Sequence, residues 1–191
     1  MTHNNLNSVS IRLMSGGHAF SKQDIERLKS AGSGACVEVI TPKTVLRPAE
    51  GFVAENARHD LESVGYAVAL DECVVYSSES NGRVAVMALS RDCADAIAKL
   101  GVEVQYTSPL LSGDDMAEGV SIALWGDVIY IMVYRQGLRF AEAVEAKSDA
   151  DIVYILENLN RVYNIYNMRA RVEGDVKRLE RVCKKYTKLK F

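Results

Sequence analysis

Three strand-like runs, residues 119–125, 128–134 and 138–146, follow one another with only Gly126-Asp127 and Arg135-Gln136-Gly137 between them. Joints of two and three residues leave no room for a crossover, so the runs are expected to lie side by side as antiparallel strands. Ser148 then stands where a helix cap belongs, ahead of Ile152, Ile155, Leu156, Leu159, Val162 and Tyr163 at a 3.6-residue period. Residues 167–172 read as one more strand. After Gly174, the residues Val176, Leu179, Val182, Cys183, Tyr186 and Leu189 make one apolar stripe of a last helix. The order is strand, strand, strand, helix, strand, helix.

The chain before this meander reads as a comparable series. Residues 9–14 form a strand, Ser15-Gly16-Gly17 supplies a tight turn, and a second strand starts at His18, so a hairpin is expected to open the protein. A short amphipathic piece over 22–31, a strand over 36–40, an extended piece over 44–46 and a helix over 49–64 stopped by Gly65 come next. Strands over 73–77 and 84–89 flank Asn81-Gly82, a pair that favours positive φ. Ser90 caps a helix over 92–100, Gly101 ends it, and 102–106 is a strand. Residues 108–119 contain Pro109, Gly113 and three acids, which marks an exposed connection. A chain of 191 residues exceeds what one small core organises, so two domains are expected, 1–110 and 119–191. The fold class is α/β, or α+β in detail, with two halves that each hold a mixed sheet opening with antiparallel strands and covered by helices.

Three antiparallel strands, a crossover helix and a parallel strand is the order of ribonuclease H-like and actin-like domains. On Val9-Ser10-Ile11-Arg12-Leu13, on the stretch from Lys43-Thr44-Val45-Leu46-Arg47-Pro48 to Ala49-Glu50-Gly51-Phe52, and on the meander from Gly119, the chain resembles an uncharacterised bacterial family with an actin-like ATPase fold. That family resembles, distantly, the pilus-assembly and cell-division actin homologues, and it has no assigned activity. Set against the fold, the C-terminal half is shortened, which leaves open whether another chain completes its sheet.

An actin-like ATPase holds nucleotide between its halves, using Asp-x-Gly turns after the first strand of each half to place magnesium and phosphates. The resemblance puts those turns at Met14-Ser15-Gly16-Gly17 and Trp125-Gly126-Asp127. Ser15, Gly16, Gly17 and His18 offer backbone amides, a hydroxyl and an imidazole, but no carboxylate. Asp127 stands in the order Gly-Asp, the ordinary chemistry of a hairpin turn. Nucleotide hydrolysis is therefore disfavoured, while these five residues remain the place where a nucleotide would bind. A nuclease needs carboxylates on its first strand to clamp metal ions, and neither Ser10-Ile11-Arg12-Leu13 nor Ser121-Ile122-Ala123-Leu124 carries one. His3, His18 and His59 are scattered, and the chain contains no phosphate loop, dinucleotide turn or nucleophile elbow. No catalytic residue, metal ligand or cofactor is assigned.

Charge is uneven. From Arg169 onward nine basic residues face three acidic ones, about +6, and the overall charge of −2 leaves about −8 for the rest. Lys177, Arg178, Arg181, Lys184, Lys185 and Lys188 surround the apolar stripe of the last helix as an anion-binding candidate. The competing reading is a solvated face turned toward the acidic remainder of the protein or of a second copy. Trp125, Tyr130, Tyr134, Tyr154, Tyr163 and Tyr166 are read mostly as core, with an interface as the second choice. Cys36, Cys73, Cys93 and Cys183 lack Cys-x-x-Cys spacing and read as buried thiols. No apolar run is long enough to cross a bilayer, and residues 1–8 lack the pattern of a secretory signal, so a cytoplasmic location is expected.

Three functions follow from these readings. The first is a non-catalytic actin-like protein that acts by binding another protein or by self-association. The second is a nucleotide-binding protein or enzyme that uses the cleft between the halves. The third, the weakest, is nucleic-acid binding through the last helix.

Overall fold

The computed structural model describes residues 9–14, 35–101, 103–112 and 116–189. They form mixed α/β structure, and the chain divides into two compact units, Met1–Leu111 and Ser112–Phe191. The Ser15-Gly16-Gly17 turn, the strand expected from His18 and the 22–31 segment lie outside the described residues.

In the first unit, β1 (Val9–Met14), β2 (Ala35–Ile40) and β6 (Val104–Thr107) are parallel, in the order β1-β2-β6. Arg12 on β1 forms an ion pair with Glu38 on β2. A second, antiparallel set has the order β3-β5-β4, with β3 (Thr44–Pro48), β4 (Glu72–Tyr76) and β5 (Arg83–Ser90). A parallel bridge between Ser77 and Tyr106 links the two sets. Asn81 at φ 50° and Gly82 at φ 71° make the turn into β5, as their chemistry dictates. The alternation of β5 sends Val86 and Ala88 to α1 (Ala57–Ser63), where they pack with Ala57 and Leu61. Ala85, Met87 and Leu89 face the other way, into a cluster with Val37, Val39 and, from α2 (Arg91–Ala98), Cys93 and Ile97.

The helix expected over 49–64 is shorter. A 3-10 turn at Ala54–Asn56 leads into α1, and the chain before it turns through Gly51 at φ 80°. Phe52 counts toward the helical period in sequence, but it belongs to this turn and packs on the ring of Tyr76, centroids 5.4 Å apart.

The second unit has one four-stranded sheet, β10-β7-β8-β9. β7 (Glu118–Trp125), β8 (Val128–Arg135) and β9 (Leu138–Glu145) are antiparallel, as their short joints require, and β10 (Ala170–Gly174) runs parallel to β7. Two helices, α3 (Asp149–Tyr163) and α4 (Val176–Tyr186), cover one face. Val120, Ile122, Leu124, Ile129, Ile131 and Val133 meet Ile152, Leu156, Leu159, Leu179, Val182 and Cys183 there. Each large side chain buried this way contributes roughly 1.5–3 kcal/mol. The strand expected over 167–172 begins later, because Asn164, left-handed at φ 54°, is followed by a 3-10 turn at Ile165–Asn167. Gly174 has φ 80°, and a Cβ there would collide with the Leu124 carbonyl, which also accepts the Asp175 N–H at 2.8 Å.

Cys93 and Cys183 are buried as expected, whereas Cys36 and Cys73 are only half-buried, and all four thiols are free. Among the described residues no helix is long and apolar enough to cross a membrane.

Candidate functional site

Helices α3 and α4 are held together by their first turns. Ser148 caps α3 through a reciprocal box: its hydroxyl accepts the Asp151 N–H at 3.2 Å, and the Asp151 carboxylate accepts the Ser148 N–H at 2.8 Å. Asp175 caps α4 by accepting the Arg178 N–H at 3.0 Å. Asp149, in the first turn of α3, then receives Arg178 Nε at 2.9 Å and Arg181 Nη2 at 3.1 Å, and a further Arg178 N–H reaches the Lys147 carbonyl at 3.2 Å. The Arg178 hydrogen bond, aided by Arg181, holds the Asp149 carboxyl below its ordinary pKa.

The basic stripe expected around α4 is thereby divided. Arg178 and Arg181 are engaged with Asp149, while Lys177, Lys184, Lys185 and Lys188 are exposed. Lys185 Nζ lies 4.7 Å from the Tyr186 ring centroid.

A groove of 520 Å³ runs between the helices. Ala150, Val153, Tyr154 and Tyr186 give it apolar walls, with Tyr154 71% and Tyr186 50% exposed. The core reading holds for Tyr130 and Tyr134, at 0% and 3% exposed, and not for Tyr154. The helical period places it outside: Ile152 and Leu156 are buried, and residue 154 falls opposite both. Glu157 lines the groove but already accepts the Tyr166 hydroxyl at 2.9 Å. Burial, followed by Glu157, raises the pKa of that phenol. Arg161, also on the groove, has no ion pair among the described residues.

Of the five residues expected at a nucleotide cleft, Ser15, Gly16, Gly17 and His18 lie outside the described residues. Asp127 sits exposed in the β7–β8 turn, where its carbonyl accepts the Ala146 N–H at 2.7 Å. The hydrogen bond to Glu145 and that carboxylate's charge hold the Lys147 ammonium above its ordinary pKa, with Asp127 a lesser contributor. Among the described residues no group of three or more His, Cys, Asp or Glu side chains could hold a metal ion.

Topology and a solved structure agree on the class. The chain has an actin-like ATPase fold. A crystal structure from Bacteroides thetaiotaomicron VPI-5482, described as a protein with actin-like ATPase fold and unknown function, is similar at a TM-score of 0.62 and 16% identity. The similarity covers 81% of this chain and 66% of that one, so the present chain spans just under two thirds of its length. The cytoplasmic domain of EpsL, an inner membrane component of the type II secretion system of Vibrio cholerae, is similar at a TM-score of 0.47 and 14% identity over 95% of each chain. No protein-family model matches the chain, and no curated protein matches it.

Proposed function

We propose that this chain is a non-catalytic actin-like protein that acts through protein–protein contact, that the α3–α4 groove is the contact surface, and that its occupant is a second copy of the chain. The observation that carries the reading is the exposure of Tyr154 and Tyr186 along an apolar groove. Exposed aromatics in a concave apolar surface are the chemistry of interface anchors rather than of a solvated helix face.

Charge selects the occupant. On the groove Asp149 is shared by two arginines, which leaves that cluster net positive; Glu157 keeps its charge beside the Tyr166 hydroxyl, but Arg161, and Lys185 over the Tyr186 ring, keep the surroundings positive overall. The part of the chain before Arg169 carries about −8. A basic, aromatic groove on one copy is complementary to the acidic remainder of another, a pairing of unlike surfaces. The same division of the stripe weakens the nucleic-acid reading, since two of its six cations are committed to a carboxylate.

Sedimentation velocity over a series of concentrations tests the proposal. The wild-type chain is expected to associate, less so as salt is raised, and Tyr154→Glu is expected to leave it monomeric. A wild type that stays monomeric throughout, or a variant that associates equally well, sinks it.

A further inference from the structure

Near the C-terminus of α3 a second cavity, 650 Å³, shares no lining residue with the groove. Arg135, Gln136 and Arg139 line it together with Glu118 and Tyr163. The β8–β9 turn brings the two arginines together: Gln136 at φ 54° and Gly137 at φ 108° reverse the chain between them. Each guanidinium is held from one side by a backbone oxygen. Arg135 Nη2 donates to the Tyr163 carbonyl at 2.9 Å, and Arg139 Nε donates to the Arg135 carbonyl at 2.8 Å. These contacts orient the side chains without neutralising them. Glu118 lies opposite Arg135 in the β7–β8 register, yet among the described residues no ion pair joins Glu118 to either arginine. The Tyr163 ring, 5.6 Å from that of Phe140 between centroids, forms a fixed aromatic wall.

Two oriented guanidinium groups with N–H donors to spare suit an oxyanion, which they bind by paired, charge-assisted hydrogen bonds. The volume lies in the range of small-molecule sites, roughly 300–1,000 Å³, so the ligand has a body beyond the anionic group. We infer that this cavity binds a small molecule through a phosphate or carboxylate group held by Arg135 and Arg139, with Tyr163 against its body. The site stands independently of self-association. Glu118 opposes a bare anion, which makes its charge a second handle.

Calorimetry on the full chain, with inorganic phosphate and succinate as separate probes and ionic strength held constant with chloride, tests the site. Saturable binding of at least one probe is expected, and which one binds separates a phosphate ligand from a carboxylate ligand. Arg139→Gln should weaken it about tenfold, the size of one lost charge-assisted hydrogen bond. Glu118→Gln should tighten it, and Lys184→Gln with Lys185→Gln should leave it unchanged. Absence of saturable binding by both probes, wild-type affinity in Arg139→Gln, or loss in the lysine variant would overturn the assignment.

Discussion

Two pairs of arginines in the second unit meet opposite fates. Arg178 and Arg181, three residues apart on α4, converge on one carboxylate, with Asp149 accepting from both at 2.9 and 3.1 Å. Arg135 and Arg139, on either side of the β8–β9 turn, find carbonyl oxygens instead. A carbonyl satisfies an N–H group but leaves the charge in place. The first pair is therefore part of how α3 and α4 are held together, and the second is a source of positive field beside a cavity. In the linear sequence the α4 arginines belong to the conspicuous basic stripe, whereas the hairpin arginines are two isolated cations. One of the two charges of the obvious pair is offset by a carboxylate some thirty residues away, whereas the inconspicuous pair keeps both.

The sharpest way to break this contrast is to move α4. Gly174 lets β10 pass against Leu124 and place Asp175 at the helix start, so any side chain there displaces the cap and carries Arg178 and Arg181 away from Asp149. Gly174→Ala combines a left-handed φ with a backbone collision. It is expected to cost about 3 kcal/mol or more in chemical denaturation. A loss below about 1 kcal/mol would show that the junction yields and that α4 is not fixed by it.

The meander, the Ser148 cap and both helices of the second unit were legible because each depends on local chemistry: joint length, cap residue and apolar period. The actin-like order of elements followed from the same signals. The groove was less legible. The 3.6-residue period of α3 already excludes Tyr154 from the buried stripe, but only tertiary structure shows that Tyr186 of α4 stands beside it. The pairing of Asp149 with α4 had no sequence signal, since the partners lie 29 and 32 residues apart. The helix over 49–64 was drawn too long at its start for a different reason. Phe52 satisfies the helical period by coincidence while it serves the turn at Gly51.

A smaller effect sharpens the first half of the comparison. Asp149→Asn removes the shared acceptor of Arg178 and Arg181 and a favourable charge in the first turn of α3. At neutral pH the loss should be about 1 kcal/mol, because the carboxylate is solvent-accessible and such contacts are screened. The folded-state pKa of Asp149 is depressed, so its contribution is present above the ordinary carboxylate pKa and is lost as pH falls through the folded value. Wild type and variant should therefore differ in unfolding midpoint at pH 7 and converge in acid. A gap that persists unchanged in acid would show that the two arginines are not stabilised by the ionised carboxylate.

The smallest effect falls on the other pair. Arg139 is exposed and donates to a carbonyl, so Arg139→Gln should change stability by no more than about 0.5 kcal/mol. Arg135→Gln should cost slightly more, since its guanidinium binds the Tyr163 carbonyl in the last turn of α3, where a cation meets the negative end of the helix dipole. Thermal unfolding of the two variants beside Asp149→Asn places all three on one scale. The expected order of loss is Asp149→Asn, then Arg135→Gln, then Arg139→Gln. If Arg139→Gln proved the most damaging, its guanidinium would be spent on holding the hairpin. It would then not be free to hold an anion, and the two arginine pairs would be alike after all.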